Sequence, residues 1–179
     1  MTHAIVLALE PGSAAMVEGL WHRLAEAGLS HSMPDLDYPP HLTLTVLDGP
    51  VEEAALRAAF KAMLDGAPIS ELGEASLPVT GLGLFPGPRC VLWAAAAVPP
   101  ALAALHRRLH AALPASHEDY RPGRWLPHLT LADDLDAAMV PAAMAALLPH
   151  WTAFTARLQA AELVRFPPAE VLARQPLAP

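Results

Sequence analysis

Cysteine is nearly absent. Cys90 stands alone, so no internal disulfide can brace the fold, and a reducing cytoplasm is the expected setting. Long hydrophobic runs are missing too, although apolar residues make up 54% of the chain. Alanine supplies much of that share, and uncharged stretches such as Cys90 to Leu105 are interrupted by Pro99 and Pro100. They fall short of the ~18 apolar residues that a membrane-spanning helix needs. The apolar run Ala4 to Leu9 has no basic residue before it and Glu10 after it, which is not the make-up of a secretory signal. Cations are scarce: 11 Lys and Arg against 18 Asp and Glu give a formal net charge of −7. Binding along a nucleic-acid backbone needs a basic surface and is not expected here. A local phosphate pocket is compatible with this balance. Arg89, Arg107, Arg108, Arg121, Arg124 and Arg165 all lie in the second half, leaving the first half poorer in cations.

What is present, twice, is Pro-His-Leu-Thr-Leu. It occupies residues 40–44 and 127–131, an offset of 128 − 41 = 87 positions, about half the chain. A pentapeptide repeated at half-length points to an internal duplication. With a histidine in each copy, it also points to one site built from two matching halves. The pattern of elements repeats with it. Residues 4–9 read as a short buried strand. Residues 11–28 place Ala14, Val17, Leu20, Trp21, Leu24 and Ala27 at helical spacing, with Ser13 a candidate N-cap and Gly28 the stop. Residues 29–40 read as a loop, 41–47 as a strand turned by Asp48-Gly49-Pro50, 51–64 as an amphipathic helix ended by Gly66, and 76–85 as a strand. The second half gives a strand over 90–98 and a helix from Pro99-Pro100 to Leu113. A polar loop over 114–127, a strand over 128–132, a helix over 134–148 and a long strand over 152–166 follow. The proline-rich residues 167–179 read as a surface tail. The expected fold is therefore α/β (α+β) and bilobal, with lobes of about 1–86 and 87–166 joined near Phe85–Arg89. Each lobe would pack a small antiparallel or mixed sheet against helices, in pseudo-two-fold arrangement around a central cleft. The pattern does not give the strand order.

Side chains alternate along a strand, so His41 and Thr43 share one face while Leu42 and Leu44 share the other. His128 and Thr130 do the same against Leu129 and Leu131. The leucines can anchor each strand in a core and leave an imidazole and a hydroxyl on the open face. Proline is tolerated at the first residue of a strand, where Pro40 and Pro127 sit. Two such strands would flank a bound group from both sides. Opening a 2′,3′-cyclic phosphate needs that arrangement: water attacks phosphorus in line with the departing ribose oxygen, so a base works on one side and an acid on the other. Histidine serves both roles because its free pKa is ~6.5. Threonine hydroxyls can donate to the non-bridging oxygens where charge builds. No metal or other cofactor is required by this chemistry.

The paired motifs, each after a proline and half a chain apart, resemble those of the 2H phosphoesterase superfamily, and within it the bacterial 2′-5′ RNA ligase-like group, also called RNA 2′,3′-cyclic phosphodiesterases. The segment from Phe85 to Trp93, Phe-Pro-Gly-Pro-Arg-Cys-Val-Leu-Trp, is similar to that group's Phe-Pro-Val-Leu-Trp stretch. The resemblance runs from Ala4 to about Phe166. It implies a bilobal fold and metal-independent opening of 2′,3′-cyclic phosphates to 2′-phosphates, with 2′-5′ RNA ligase-like activity in some relatives. It also implies His41 as general acid, His128 as general base, and Thr43 and Thr130 as phosphate ligands. One departure stands out: where the RNA-acting group often has a basic residue after the second motif, Ala132 is followed here by Asp133 and Asp134. That favours a small nucleotide or another cyclic phosphate over a long RNA.

Other residues carry less. Tyr38 and Trp125 each lie three positions before a motif histidine, and either ring could stack on a base. Arg124 and Arg121 are candidates for phosphate contact. His106 and His110, four apart on a helix, have a spacing that can bind metal, but a solvated helix face is the simpler reading. His117-Glu118-Asp119 and the lone Gly81-x-Gly83 match no working motif, and Trp21 and Trp93 read as core. A monomeric cytoplasmic enzyme is expected. The alternatives are a non-catalytic binding module for phosphorylated ligands or RNA ends, and a metal-dependent hydrolase using the same histidines.

Overall fold

The computed structural model describes residues 2–48, 51–67, 69–113 and 116–177; Gly49 and Pro50 of the expected turn, and Pro114 at the head of the expected loop, lie outside them. The order is β1 (Thr2–Leu9), α1 (Pro11–Glu26), α2 (Ser32–Asp35), β2 (His41–Asp48), α3 (Glu53–Leu64), α4 (Ile69–Glu74) and β3 (Ser76–Phe85). Then come β4 (Cys90–Ala96), α5 (Pro100–Ala112), β5 (His128–Leu135), α6 (Val140–Leu147), β6 (Phe154–Phe166) and β7 (Glu170–Pro176). Among the described residues no helix is long and apolar enough to cross a membrane. Local chemistry accounts for several boundaries. Proline opens both α1 and α5, where a missing N–H costs nothing. Gly28 takes φ +65° just after α1, a conformation that a side chain would strain.

The seven strands form one antiparallel sheet, which resolves the open choice between antiparallel and mixed. Pairing runs β5-β4-β3-β6-β1-β2, and β2 meets β5 again through a single pair, Leu42 with Leu129, closing the circuit. The strands of the two sequence halves are interleaved: β6 lies against β1, and β3 against β4. Register carries the duplication further than the pentapeptide does. Ala8 faces His41 as Ala95 faces His128, Leu7 faces Leu42 as Ala94 faces Leu129, and Val6 faces Thr43 as Trp93 faces Thr130. Every residue of the first set lies 87 positions before its counterpart. Both ladders then slip at the same place, between Ile5 and Val6 and between Leu92 and Trp93, leaving Leu44 and Leu131 as the extra residues of matching bulges.

The helices pack on the leucine face. α1 lies against α6 and β5, and α3 against α5. Their buried stripes, Val17, Leu20 and Leu24 of α1, Leu56, Phe60 and Met63 of α3, and Leu102, Leu105 and Leu109 of α5, enclose Leu42, Leu44, Leu129 and Leu131 in one core. Each such leucine contributes about 1.5–3 kcal/mol by leaving water, which fixes the face on which the histidines emerge.

Four segments differ from the sequence reading. Residues 170–176 are not a surface tail; they form a strand paired with residues 160–165 of β6, and Leu177 beyond them is 1% exposed. β5 continues to Leu135 because it pairs with Cys90, so the following helix starts late, with a 3-10 turn at Ala137–Met139 before α6. α4 and α2 are short helices where no helix is expected from the pattern. His106 is not on a solvated helix face: it is 3% exposed, its Nε2 donates to the Tyr120 carbonyl at 2.9 Å, and its ring stacks on Trp125 with centroids 4.0 Å apart.

Burial, with His110 and Arg107 adding their charges, lowers the His106 pKa to about 4. The unfolded ring protonates near 6.5 while the folded ring stays neutral, so the unfolded state binds the extra proton and stability falls with pH. Thermal or urea unfolding followed from pH 7 to 4 should show this loss beginning near 6.5, at about 1.4 kcal/mol per unit from this residue, with the slope reduced in His106→Phe.

Candidate active site

The two motif strands meet at the Leu42–Leu129 pair and nowhere else. Antiparallel register then sets each histidine opposite the other motif's threonine, His41 by Thr130 and His128 by Thr43. The two histidines are diagonal neighbours, a placement that separates backbones by about 7–8 Å. Both leucines of the pair are fully buried, whereas His41, Thr43 and Thr130 are half-buried and His128 is 9% exposed on the opposite face. The structure thus brings together all four residues singled out from the pentapeptides.

The imidazoles are held alike. His41 Nδ1 lies 2.9 Å from the Pro39 carbonyl, and His128 Nδ1 lies 2.7 Å from the Leu126 carbonyl, each two residues back. A carbonyl only accepts, so Nδ1–H is the donor in both rings and Nε2 is left with its lone pair. Burial lowers both pKa values, the carbonyl bonds partly offset this, and the charge of His128 lowers that of His41 further. Two neutral imidazoles with matching tautomers, close enough to feel each other's charge, can pass a proton to or from a group between them.

Beyond the crossing the strands part, and an indole N–H from the other half occupies each free edge. Trp125 donates to the Thr43 carbonyl and Trp21 to the Thr130 carbonyl, both at 2.9 Å. Trp21 therefore does more than fill the core, because it fixes the backbone of the second motif.

The walls differ on the two sides. The Tyr38 ring meets His41 edge-on, with centroids 5.0 Å apart, and its hydroxyl donates to Glu162. Arg174 on β7 donates to the other carboxylate oxygen at 2.5 Å, and Glu162 is 1% exposed. Burial and the Glu162 charge raise the Tyr38 pKa, so the phenol stays protonated. On the His128 side stand Phe85, edge-on with centroids 5.1 Å apart, and Trp93 at 6.0 Å. Trp93 lies over Gly83 so closely that a Cβ there would sit 2.1 Å from the indole; glycine is what lets the ring lie flat. Trp93 is thus a cleft-side residue and not the core residue expected from the sequence: it is half-buried, on the strand face opposite Leu92 and Ala94, and outside the core cluster.

Three expected contacts fall elsewhere. Tyr38 is 8% exposed and bound to Glu162, so it presents no free face to a base. Trp125 has one face covered by His106 and its N–H spent on Thr43. Arg124 is exposed and paired with Glu118 at 2.6 Å and Asp119 at 3.4 Å. Asp133 and Asp134, which follow the second motif, dock the loop before the first: the Asp133 N–H donates to Ser32 Oγ, and Ser30 Oγ–H to Asp134. Glu162 and Arg174 are the residues that the sequence reading passes over, and Phe85 it names only as the start of a similar stretch and of the joint between lobes. The one clue in sequence was a lone carboxylate in the apolar run from Ala160 to Val164.

Known proteins share this fold. The solved structure of a phosphoesterase superposes with a TM-score of 0.58 at 19% identity, covering 99% of this chain and 98% of that one. E. coli LigT complexed with 3′-AMP gives 0.57 at 17% identity, covering 99% and 98%, and LigT complexed with NADP+ gives 0.58 at 18%, covering 99% and 97%. These likenesses show the fold. None of the curated proteins compared with the chain matches it. The sequence model of the 2′-5′ RNA ligase superfamily matches residues 13–167, a span that holds both histidine motifs, and the chain belongs to that family.

Proposed function

We propose that this protein is a cyclic phosphodiesterase that opens the 2′,3′-cyclic phosphate of a nucleotide or an RNA end to a 2′-phosphate, acting as a cytoplasmic monomer. The observation that carries this reading is the matched tautomer of His41 and His128, diagonal neighbours whose Nδ1 atoms each bond a carbonyl two residues back, so that each Nε2 keeps its lone pair. In the hydrolytic direction His128 Nε2 takes a proton from water as its oxygen bonds to phosphorus. The bond from phosphorus to the 3′ oxygen breaks, and His41, protonated at Nε2, gives that oxygen its proton. Thr43 and Thr130 donate to the non-bridging oxygens. Proton transfer alone accounts for the step, without a metal. With a 5′ hydroxyl in place of water as the attacking group, the same forward step would form a 2′-5′ linkage, the bond from phosphorus to the 3′ oxygen breaking as before, in keeping with the ligase-like members of the family. The nucleotides held by LigT support a small phosphorylated substrate here. The aromatic surface beside the base fits Phe85 and Trp93 better than Tyr38 and Trp125.

Hydrolysis of nucleoside 2′,3′-cyclic phosphates, with products separated by chromatography, tests the reading. His41→Ala and His128→Ala should each lower kcat/KM by about 10²–10⁴ with unchanged circular dichroism. Full activity in either would exclude the mechanism, and tight binding without product in the unaltered protein would favour the binding module.

The pH profile has a defined sign. Both free-enzyme pKa values lie below the ordinary 6.5, so the protonated acid is lost as pH rises through a lowered value. The kcat/KM bell should centre on the acid side of neutrality. A bound phosphodiester anion raises the acid's pKa, and the basic limb of kcat should therefore lie above that of kcat/KM.

Tyr38→Phe should cost about 1–3 kcal/mol by leaving Glu162 a donor short. Because the ring abuts His41 and not the substrate, kcat should fall while KM holds. A rise in KM alone would instead make Tyr38 a base contact.

A further inference from the structure

Apart from the histidine cleft, a groove of about 500 Å³ opens between the C-terminal half of α5 and the segment that leads toward β5. Arg107, His110, Ser116 and Arg121 line it, and no motif residue does. In a chain of net charge −7, Arg107 and Arg121 are both exposed, and among the described residues neither guanidinium has a hydrogen-bond or ion-pair partner. The acids of the same segment, Glu118 and Asp119, are already matched by Arg124. His110 and Ser116 are occupied with each other: Ser116 Oγ–H donates to His110 Nδ1 at 3.1 Å, and Nε2–H points to the Leu44 carbonyl at 3.4 Å. The free donors in the groove are therefore two guanidiniums.

The duplicated scaffold supplies a comparison. A second groove, of about 370 Å³, lies at the matching end of α1 and is lined by Glu18, Trp21, Asp37 and Tyr38 among others. Counting from Pro11 and Pro100, Glu18 and Arg107 are each the eighth residue of their helices, and Trp21 and His110 are each the eleventh. Trp21 and His110 both reach a carbonyl of a motif strand, Thr130 in one case and Leu44 in the other. The two grooves share their construction and differ in charge. A fold that accepts Glu18 at one position does not demand Arg107 at the other.

We propose that the Arg107–Arg121 groove is a second phosphate-binding site, separate from the histidine cleft. Guanidinium groups offer paired N–H donors that match phosphate oxygens, and two of them without internal carboxylate partners leave one anion to be supplied from outside. Leu44 is three residues along β2 from His41, roughly 10 Å at strand spacing. The anion is either free phosphate or a phosphate farther along an RNA strand whose end lies between the histidines. The second source rests on the function proposed above; the site itself does not.

The test follows the His110 ring resonances by two-dimensional NMR while inorganic phosphate is added to the intact protein, to the Arg107→Gln/Arg121→Gln double variant, and to Glu18→Gln as control. Saturable movement is expected, weakened roughly tenfold or more without the arginines and kept in Glu18→Gln. Oligonucleotides ending in a 2′,3′-cyclic phosphate, of rising length and held in His41→Ala to prevent turnover, then separate the sources. Affinity that grows with length and is lost with the arginines identifies a strand phosphate. A phosphate response with no length dependence identifies free phosphate. His110 unmoved by either ligand, or moved equally in the arginine variant, overturns the site. Each readout is of binding, so the result stands whether or not the histidines turn over cyclic phosphate.

Discussion

One residue pair holds the site together. Leu42 and Leu129 are the sole point where the two motif strands hydrogen-bond, and both side chains are fully buried. Burial of the leucines dictates that the neighbouring residues face away from the core, and antiparallel register dictates that histidine stands by threonine on each side. The strands part immediately afterward, and indole donors satisfy the exposed carbonyls that parting creates. A longer ladder would have made a flat continuous sheet at this point; a shorter one would have left the imidazoles with no common register.

The sequence exposed this arrangement only where periodicity and identity coincide. His-x-Thr alternation, the offset of 87 and the helical stripes of α1, α3 and α5 were all legible, because each depends on side chains that repeat at a fixed interval. The partners of the histidines were not. Glu162 and Arg174 come from β6 and β7, and their meeting with Tyr38 depends on pairing between segments more than 100 residues apart in sequence. β7 itself was hidden by Pro167 and Pro168 before it, by Pro176 at its end, and by a largely exposed composition that lacks clean alternation. Tyr38 and Trp125 were noticed because they stand near the motifs, but proximity in sequence does not fix which way a ring turns. The rings are instead directed by Glu162 and Thr43 respectively.

Duplication explains the backbone and leaves the lining free to diverge. The bulges, the alanines opposite the histidines and the carbonyl bonds to Nδ1 are the same in both halves. Around them, one side has a buried Tyr–Glu–Arg network and the other an aromatic wall of Phe85 and Trp93 seated on Gly83. The reaction proposed above has unlike ends, water on one and a sugar oxygen on the other, and two like bases in unlike surroundings would serve it. Divergence of the walls is therefore where acid and base would be told apart.

The interleaving of strands has an outcome during synthesis on the ribosome. β1 cannot be covered on its second edge until β6 emerges, and the carboxylate beside His41 has no arginine until residue 174 has been made. The first motif is translated early but stays without its supports until nearly all of this sequence is available. A nascent chain thus carries no completed half-site, and removing β7 would take away support from the earlier of the two motif histidines, His41.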